Sequence, residues 1–255
     1  MGWALVTGAS SGMGLEYSRQ LASRGWDIVL VSNQENELVQ AAADIAGFFG
    51  VNAVPHYADL SAENAAGELL DWCRCEGYEI EVLVNNAGMF FFKELGPGDM
   101  GRVGTMMNLH MKAVTEMCIL FGAEMKVRGH GSILIMSSMA SLLPAPGIAI
   151  YSATKAYLRS FGKSLFFEMR PYGVGVTTVC PAAIATPLYR LKPSLMELGV
   201  RVGVIKTPEW LVRRALNCLF KKKSTCRPGF MNVWMPPALA LLPKGIESRI
   251  WKKLK

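Results

Sequence analysis

Six short apolar runs, each closing on a small or polar residue and the first five alternating with stretches of helical spacing, set what this chain can fold into. The runs are Trp3–Thr7, Asp27–Ser32, Val51–Tyr57, Ile80–Asn85, Gly131–Ser138 and Val174–Pro181. The intervening segments Leu15–Arg24, Gln34–Phe49, 62–76, Arg102–Lys126 and Tyr151–Met169 read as helices, the last stopped by Pro171. Thr207-Pro208-Glu209 opens another helix, with a threonine cap and proline at the first helical position. Strands alternating with helices predict one α/β domain, a Rossmann-like doubly wound parallel sheet with helices on both faces. Pro55 disfavours a central ladder position for the third strand. A chain of 255 residues, 51% hydrophobic, is long enough for one large core. The expected division is a domain over 1–234, with a substrate loop at about 182–206, and a basic amphipathic tail at 235–255.

In such a sheet, ligands bind beyond the carboxyl ends of the strands. The residues that follow those ends are therefore the informative ones. After the first strand comes Thr7-Gly8-Ala9-Ser10-Ser11-Gly12-Met13-Gly14, leading into a helix. Glycines let a backbone approach a pyrophosphate closely, and the helix start beyond them offers unpaired N–H groups. The alternative is a tight strand-to-helix turn without a ligand. The second strand ends at Ser32-Asn33, where a dinucleotide ribose is expected. An acidic residue there would repel a 2′-phosphate, and none is present. Ser10, Ser11, Ser32 and Asn33 can all donate to such a phosphate, so the expected cofactor is NADP(H), with NAD(H) as the alternative. Asp59, followed by Leu60, reads either as an acceptor for an adenine amino group or as a turn aspartate. Ser61 reads as the N-cap of the following helix. Asn85-Asn86-Ala87-Gly88 suits a strand end whose side chains hold neighbouring backbone while the main chain faces a ligand.

The reacting groups are sought in the second half. Tyr151 and Lys155 lie four apart on a predicted helix, so both project from one face. A lysine ammonium beside a phenol favours the phenolate. Ser138 ends the fifth strand, so its hydroxyl can complete a proton-transfer site. Asn108 lies inside a predicted helix, where asparagine is mildly unfavourable. It reads either as an exposed residue or as a bulge that aims its backbone carbonyl at a catalytic water.

Taken together, these residues resemble the short-chain dehydrogenase/reductase family to about residue 220. The matches are Thr-Gly-x-x-x-Gly-x-Gly at 7–14, Asn-Asn-Ala-Gly at 85–88, Asn108, Ser138, Tyr151-x-x-x-Lys155, and Pro181 with Thr186. The resemblance implies a catalytic tetrad of Asn108, Ser138, Tyr151 and Lys155. It implies cofactor contacts from the glycine turn, Asp59, Leu60, Asn86, Ala87, Gly88, Tyr151 and Lys155, and from Pro181, Ala182, Ile184 and Thr186. Ala182 departs from the family pattern, which usually has glycine after the proline. The C-terminal part from Lys206 onward is similar to a bacterial branch of oxidoreductases, distantly like reductases of ketoacyl and ketosphingoid substrates and hydroxysteroid dehydrogenases.

The implied reaction is reversible hydride transfer between the nicotinamide cofactor and a carbonyl or secondary alcohol carbon. Apolar residues in the 184–198 stretch, Phe90–Phe92, Leu142 and Leu143 point to a hydrophobic ketone or alcohol, such as a long acyl chain or a steroid-like ring. The competing class is a non-catalytic dinucleotide-binding regulator or scaffold, whose mark would be loss of the tyrosine or lysine. The six cysteines and three histidines (56, 110, 130) show no metal-ligand spacing, so no metal is expected. The net charge of +7 gathers at Lys221–Lys223 and in Arg249, Lys252, Lys253 and Lys255. Ile246, Ile250 and Leu254 recur beside Trp251, as in an interfacial helix. A peripheral membrane contact through the tail and a helix docked on the body both fit this pattern. No apolar segment reaches the roughly 18–20 residues of a spanning helix, and no leader is apparent, so a cytoplasmic, possibly membrane-peripheral protein is expected. The expected assembly is a homodimer or homotetramer, with no nucleic-acid partner.

Overall fold

The apolar runs pair into a single parallel sheet because both faces of each strand must be buried. A computed structural model describes residues 2–142, 145–182, 184 and 206–229. Its strands are β1 (Trp3–Thr7), β2 (Asp27–Ser32), β3 (Ala53–Tyr57), β4 (Ile80–Asn85), β5 (Gly131–Met136), β6 (Val174–Val179) and β7 (Thr225–Cys226). Their order is β3-β2-β1-β4-β5-β6-β7, and all the pairings are parallel. The order reverses between β1 and β4, which is where a doubly wound sheet opens a crevice.

Successive side chains alternate between two cores, as the pleat requires. Ala4, Val6, Ile28 and Leu30 face one side, against helices α1 (Gly12–Ala22) and α2 (Glu35–Phe49) and the helix over Pro208–Phe220, here α7. Leu5, Val29, Val31, Ile133 and Ile135 face the other, against α3 (Ala65–Cys75), α5 (Ala113–Arg128) and α6 (Ala149–Met169). Tyr17 is wholly buried, and its hydroxyl donates to Met136 Sδ at 3.2 Å, tying α1 to the end of β5. Burial pushes that phenol well above its ordinary pKa.

Several local readings change. The helix expected over 62–76 starts only at Ala65, because Asn64 takes a left-handed conformation with φ 65°. Ser61 is not its cap: the Ser61 hydroxyl and N–H both donate to Asp59 Oδ1, at 2.7 and 2.9 Å. The single helix expected over 102–126 is α4 (Met100–Met107), a π turn (Asn108–Lys112) and α5. Strand β5 stops at Met136, two residues before Ser138. A seventh strand, too short to be read from sequence, pairs Thr225 with Thr178 and Cys226 with Val179. Pro55 sits on β3, an edge strand, as expected. The Thr207 hydroxyl accepts from Trp210 N–H at 3.4 Å, as the predicted cap should.

The ends of the 182–206 loop meet in a parallel bridge between Ile184 and Lys206. Thr186, Leu143 and the 235–255 tail lie outside the described residues. Among the described residues no helix is long and apolar enough to cross a membrane, and no cluster of His, Cys, Asp or Glu could hold a metal.

Candidate active site

The ends of β1, β2, β4, β5 and β6 open onto one cleft. At the first of these ends, Gly8 and Gly12 take φ +65° and +55°, conformations that disfavour a side chain. Ser11 occupies the N-cap of α1 without a side-chain cap bond. The first-turn N–H groups are thus left to an outside acceptor. Ser10 Oγ and Ser32 Oγ lie 2.9 Å apart at the ribose end, and Ser32 Oγ also accepts from Gln34 N–H at 3.2 Å. The turns after β1 and β4 are locked together through Thr7. Its hydroxyl oxygen accepts from Asn86 N–H at 3.0 Å and Ala87 N–H at 2.9 Å, and Asn86 Nδ2 donates to Thr7 O at 2.9 Å.

Asn86 Oδ1 is buried at this cleft and has no protein partner among the described residues. A buried acceptor without a donor is costly unless a ligand supplies one. The glycine turn, the uncapped helix start, the two serines and this orphaned oxygen fit a dinucleotide diphosphate and its ribose. Gly8, Ser10, Ser11, Gly12, Met13, Ser32, Asn33, Asp59, Leu60, Asn86, Ala87, Gly88, Pro181, Ala182 and Ile184 all line the cleft. Gly14 does not line it. A methyl at Gly14 would collide with Gly8 O, so this glycine lets α1 pack closely on the turn after β1. Asp59 lines the cleft, but its Oδ1 is engaged by Ser61, which supports the turn reading for that oxygen.

On the other side of the cleft, Ser138, Tyr151 and Lys155 are brought together, at 6%, 5% and 6% exposure. Ser138 Oγ accepts from Ala140 N–H at 3.1 Å, which leaves the hydroxyl proton to be donated. Lys155 Nζ donates to Met136 O at 2.9 Å and lies 5.7 Å from the Tyr151 ring centre. Ser137 Oγ donates to Lys155 O at 2.7 Å, fastening α6 to the end of β5. Met139 N–H donates to Pro181 O at 2.9 Å, bringing the segment after β6 beside Ser138. Burial pushes Lys155 down to about 8, with the nearby Cys180 acting in the opposite direction. Tyr151 and Phe90 form a T-shaped pair, with ring centres 5.0 Å apart and planes at 89°.

Asn108 stands apart from this group by its side chain, while the π turn that it begins is a bulge of the kind expected there. Asn108 begins the π turn with its side chain exposed, and its Nδ2 donates to Ser61 O at 3.2 Å. From this turn Leu109 and His110 line the cleft, and His110 is fully buried. Met106, His110, Ala113, Val114 and Met117 form the buried stripe of the segment, and Asn108 lies off that stripe. Helical spacing in the sequence was the available signal for this difference. His110 Nε2 accepts from Met89 N–H at 3.0 Å, and Nδ1 lies 3.0 Å from Thr154 Oγ1. Burial first, and then the Lys155 ammonium, hold the imidazole well below its ordinary pKa. Val31, Gln34, Ala58, Met89, Leu109, Met136 and Ser137 also line the cleft without having been singled out from sequence.

A glycine-turn dinucleotide cleft with a buried Ser–Tyr–Lys group at its far side defines a nicotinamide-dependent oxidoreductase. The short chain dehydrogenase family pattern matches residues 2–194. The very-long-chain 3-oxoacyl-CoA reductase of Anas platyrhynchos is 33% identical over 260 residues, covering 98% of this chain and 79% of the relative. The 17-beta-hydroxysteroid dehydrogenase type 3 of Mus musculus is 34% identical over 251 residues, covering 98% and 77%. Among solved structures, a short-chain dehydrogenase from Sphingobium yanoikuyae in complex with NADPH superimposes with a TM-score of 0.80 at 25% identity. That match covers 96% of this chain and 97% of the other. This chain belongs to the short-chain dehydrogenase/reductase family. It is an oxidoreductase of that family.

Proposed function

We propose that this enzyme interconverts a hydrophobic ketone and its secondary alcohol, with a 3-oxoacyl thioester or a steroid-like ketone as the substrate class. The observation that carries this reading is the wall around Tyr151. Phe91, Met106 and Tyr151 form one buried apolar cluster, with Met89, Phe90, Val103, Ile148 and Ile150 packed against it. Beyond the cluster, Phe92, Leu95, Met100 and Met107 expose apolar surface on the same segments. Such a wall offers a carbon chain or ring contact area and gives a polyol few hydrogen bonds. The names of the Anas and Mus relatives, a long-chain oxoacyl reductase and a steroid dehydrogenase, point to the same class.

Bound NADPH supplies the hydride for reduction. In the proposed roles, Ser138 donates to the substrate carbonyl oxygen and stabilises charge as it develops there. Tyr151 gives its phenolic proton to that oxygen in reduction and takes one back in oxidation. Lys155, positively charged and anchored on Met136 O, favours the phenolate over the phenol. Gly8, Ser10, Ser11, Gly12, Asn33, Asn86 and Ala87 would hold the diphosphate and ribose. Thr186, outside the described residues, remains a proposed contact of the same cofactor.

The test is a fluorescence titration with NADPH and NADH. It is followed by turnover on 3-oxoacyl thioesters of graded chain length, a 17-ketosteroid and a ketose. Turnover that rises with chain length or ring size, and falls by about a thousandfold or more in Tyr151→Phe, is expected. Equal turnover of the ketose, or a Tyr151→Phe enzyme as fast as wild type, would refute the reading. A homodimer or homotetramer is also proposed, supported by the outer faces of α5 and α6. There Ile119, Val127 and Phe167 are 58%, 90% and 61% exposed. Sedimentation velocity reads this directly. Membrane contact through the 235–255 tail is proposed from its basic amphipathic pattern. Liposome co-sedimentation unchanged by deleting 245–255 would sink it.

A further inference from the structure

His110 makes bonds that an asparagine at its place could not all make. An imidazole buried in an apolar stripe is tolerated when both ring nitrogens are bonded. Here both are, and the directions are fixed. An amide N–H can only donate, so Nε2, facing Met89 N–H at 3.0 Å, is the acceptor. The one proton of the neutral ring then sits on Nδ1 and is donated to Thr154 Oγ1 at 3.0 Å. The Thr154 hydroxyl in turn donates to Tyr151 O at 2.9 Å. The relay runs from the loop after β4, through the π turn, to the first turn of α6. The Met89 arm depends on close approach: a methyl at Gly88 would lie 3.0 Å from His110 Nε2. The charged or titratable groups facing the ring are Lys155 and Tyr151, the latter with ring centres 5.9 Å apart.

We propose that His110, as the Nδ1–H tautomer, is a positioning residue that holds Tyr151 in register with the Gly88–Met89 backbone on the cofactor side of the cleft. The proposal rests on the role given above to Tyr151. The ring is needed because its nitrogens reach two partners at once. An asparagine amide reaches only the Nδ1 position, and a glutamine amide only the Nε2 position. Thr154 is part of the same device, through its hydroxyl and not its methyl.

Two measurements on the full chain with NADPH bound decide it. Nitrogen-15 NMR of the histidine side chains should show His110 with a proton on Nδ1 and a bare Nε2, unchanged from about pH 5.5 to 8. A proton on Nε2, or titration within that range, overturns the proposal. Separately, Thr154→Val and Thr154→Ser are compared for NADPH affinity and for reduction of a 3-oxoacyl thioester. Thr154→Val should bind NADPH within about threefold of wild type and lose about tenfold or more in kcat at little change in KM, while Thr154→Ser stays within about threefold in kcat. A Thr154→Val enzyme with wild-type kcat overturns the proposal, as does a loss that Thr154→Ser fails to restore. If Thr154→Val does not fold, the tautomer measurement on the wild-type protein still decides. A wild-type protein that reduces no carbonyl would refute the function proposed above, and the tautomer result would stand or fall independently.

Discussion

Replacing Lys155 by Met tests how this site holds a charge out of water. Lys155 is 6% exposed, and burial brings its pKa from the ordinary 10.5 down to about 8. Between those two values the unfolded chain keeps the proton and the folded chain releases it. Stability therefore rises with pH from about 8 to about 10.5, and the contribution is flat on either side. A fall from 10.5 to about 8, at ~1.4 kcal/mol per pH unit, makes the rise about 3 kcal/mol. Other groups titrate in the same window, so the quantity to measure is the difference between wild type and Lys155→Met. Methionine keeps an unbranched chain of similar length in the same place and does not titrate. Denaturant titrations of the cofactor-free proteins at half-unit steps from pH 7 to 10.5 give that difference directly. The expected result is a wild-type stability that gains about 3 kcal/mol on the variant across the window, with most of the variant's advantage at neutral pH. A difference that stays flat across the window, or falls, would refute the buried-charge reasoning. At neutral pH, below that pKa of about 8, the side chain stays charged beside Tyr151 in spite of this cost, so the variant is also expected to lose turnover.

Two further substitutions address the cofactor half of the cleft. Gly14→Ala forces a methyl to within 2.0 Å of Gly8 O unless the backbone moves. It should cost about 1–3 kcal/mol of stability and weaken NADPH binding, and an unchanged melting temperature and Kd would show that the helix is free to shift. Asn33→Asp places a carboxylate at the tip of β2, where the cleft has none. NADPH affinity should fall by about tenfold while NADH affinity changes little. Fluorescence titration with the two cofactors checks this, and equal effects on both would put the 2′-phosphate elsewhere.

Much of the fold could be read from the sequence because its signals are local. Runs such as Asp27–Ser32 and Gly131–Met136 are apolar on both faces, which only a sheet covered on both sides accommodates. Strand β7 escaped because two residues carry no period, and its pairing with β6 comes from the chain's return after α7. Asn64 escaped because its left-handed turn leaves no mark beyond residue type. Within the site, Ser138, Tyr151 and Lys155 were legible because a strand end and one helical turn fix where those side chains go. The packing demand on Gly14 is not legible, because a glycine needed for packing and one needed for a phosphate look identical in sequence.

Sequence alone determined the doubly wound sheet, the dinucleotide turn after β1 and the Tyr151–Lys155 pair. Each depends on spacing within one element or on the residue types at a strand end. Only the tertiary structure decided which side chain of the 108–112 turn is buried. The π turn and the packing of Met106, Ala113 and Met117 against the sheet put His110 inside and leave Asn108 on Ser61 O. That choice is made by which face of the helix the core buries, and by Met89 and Thr154. Those partners are distant in sequence and meet only when β4 and α6 pack on the same segment.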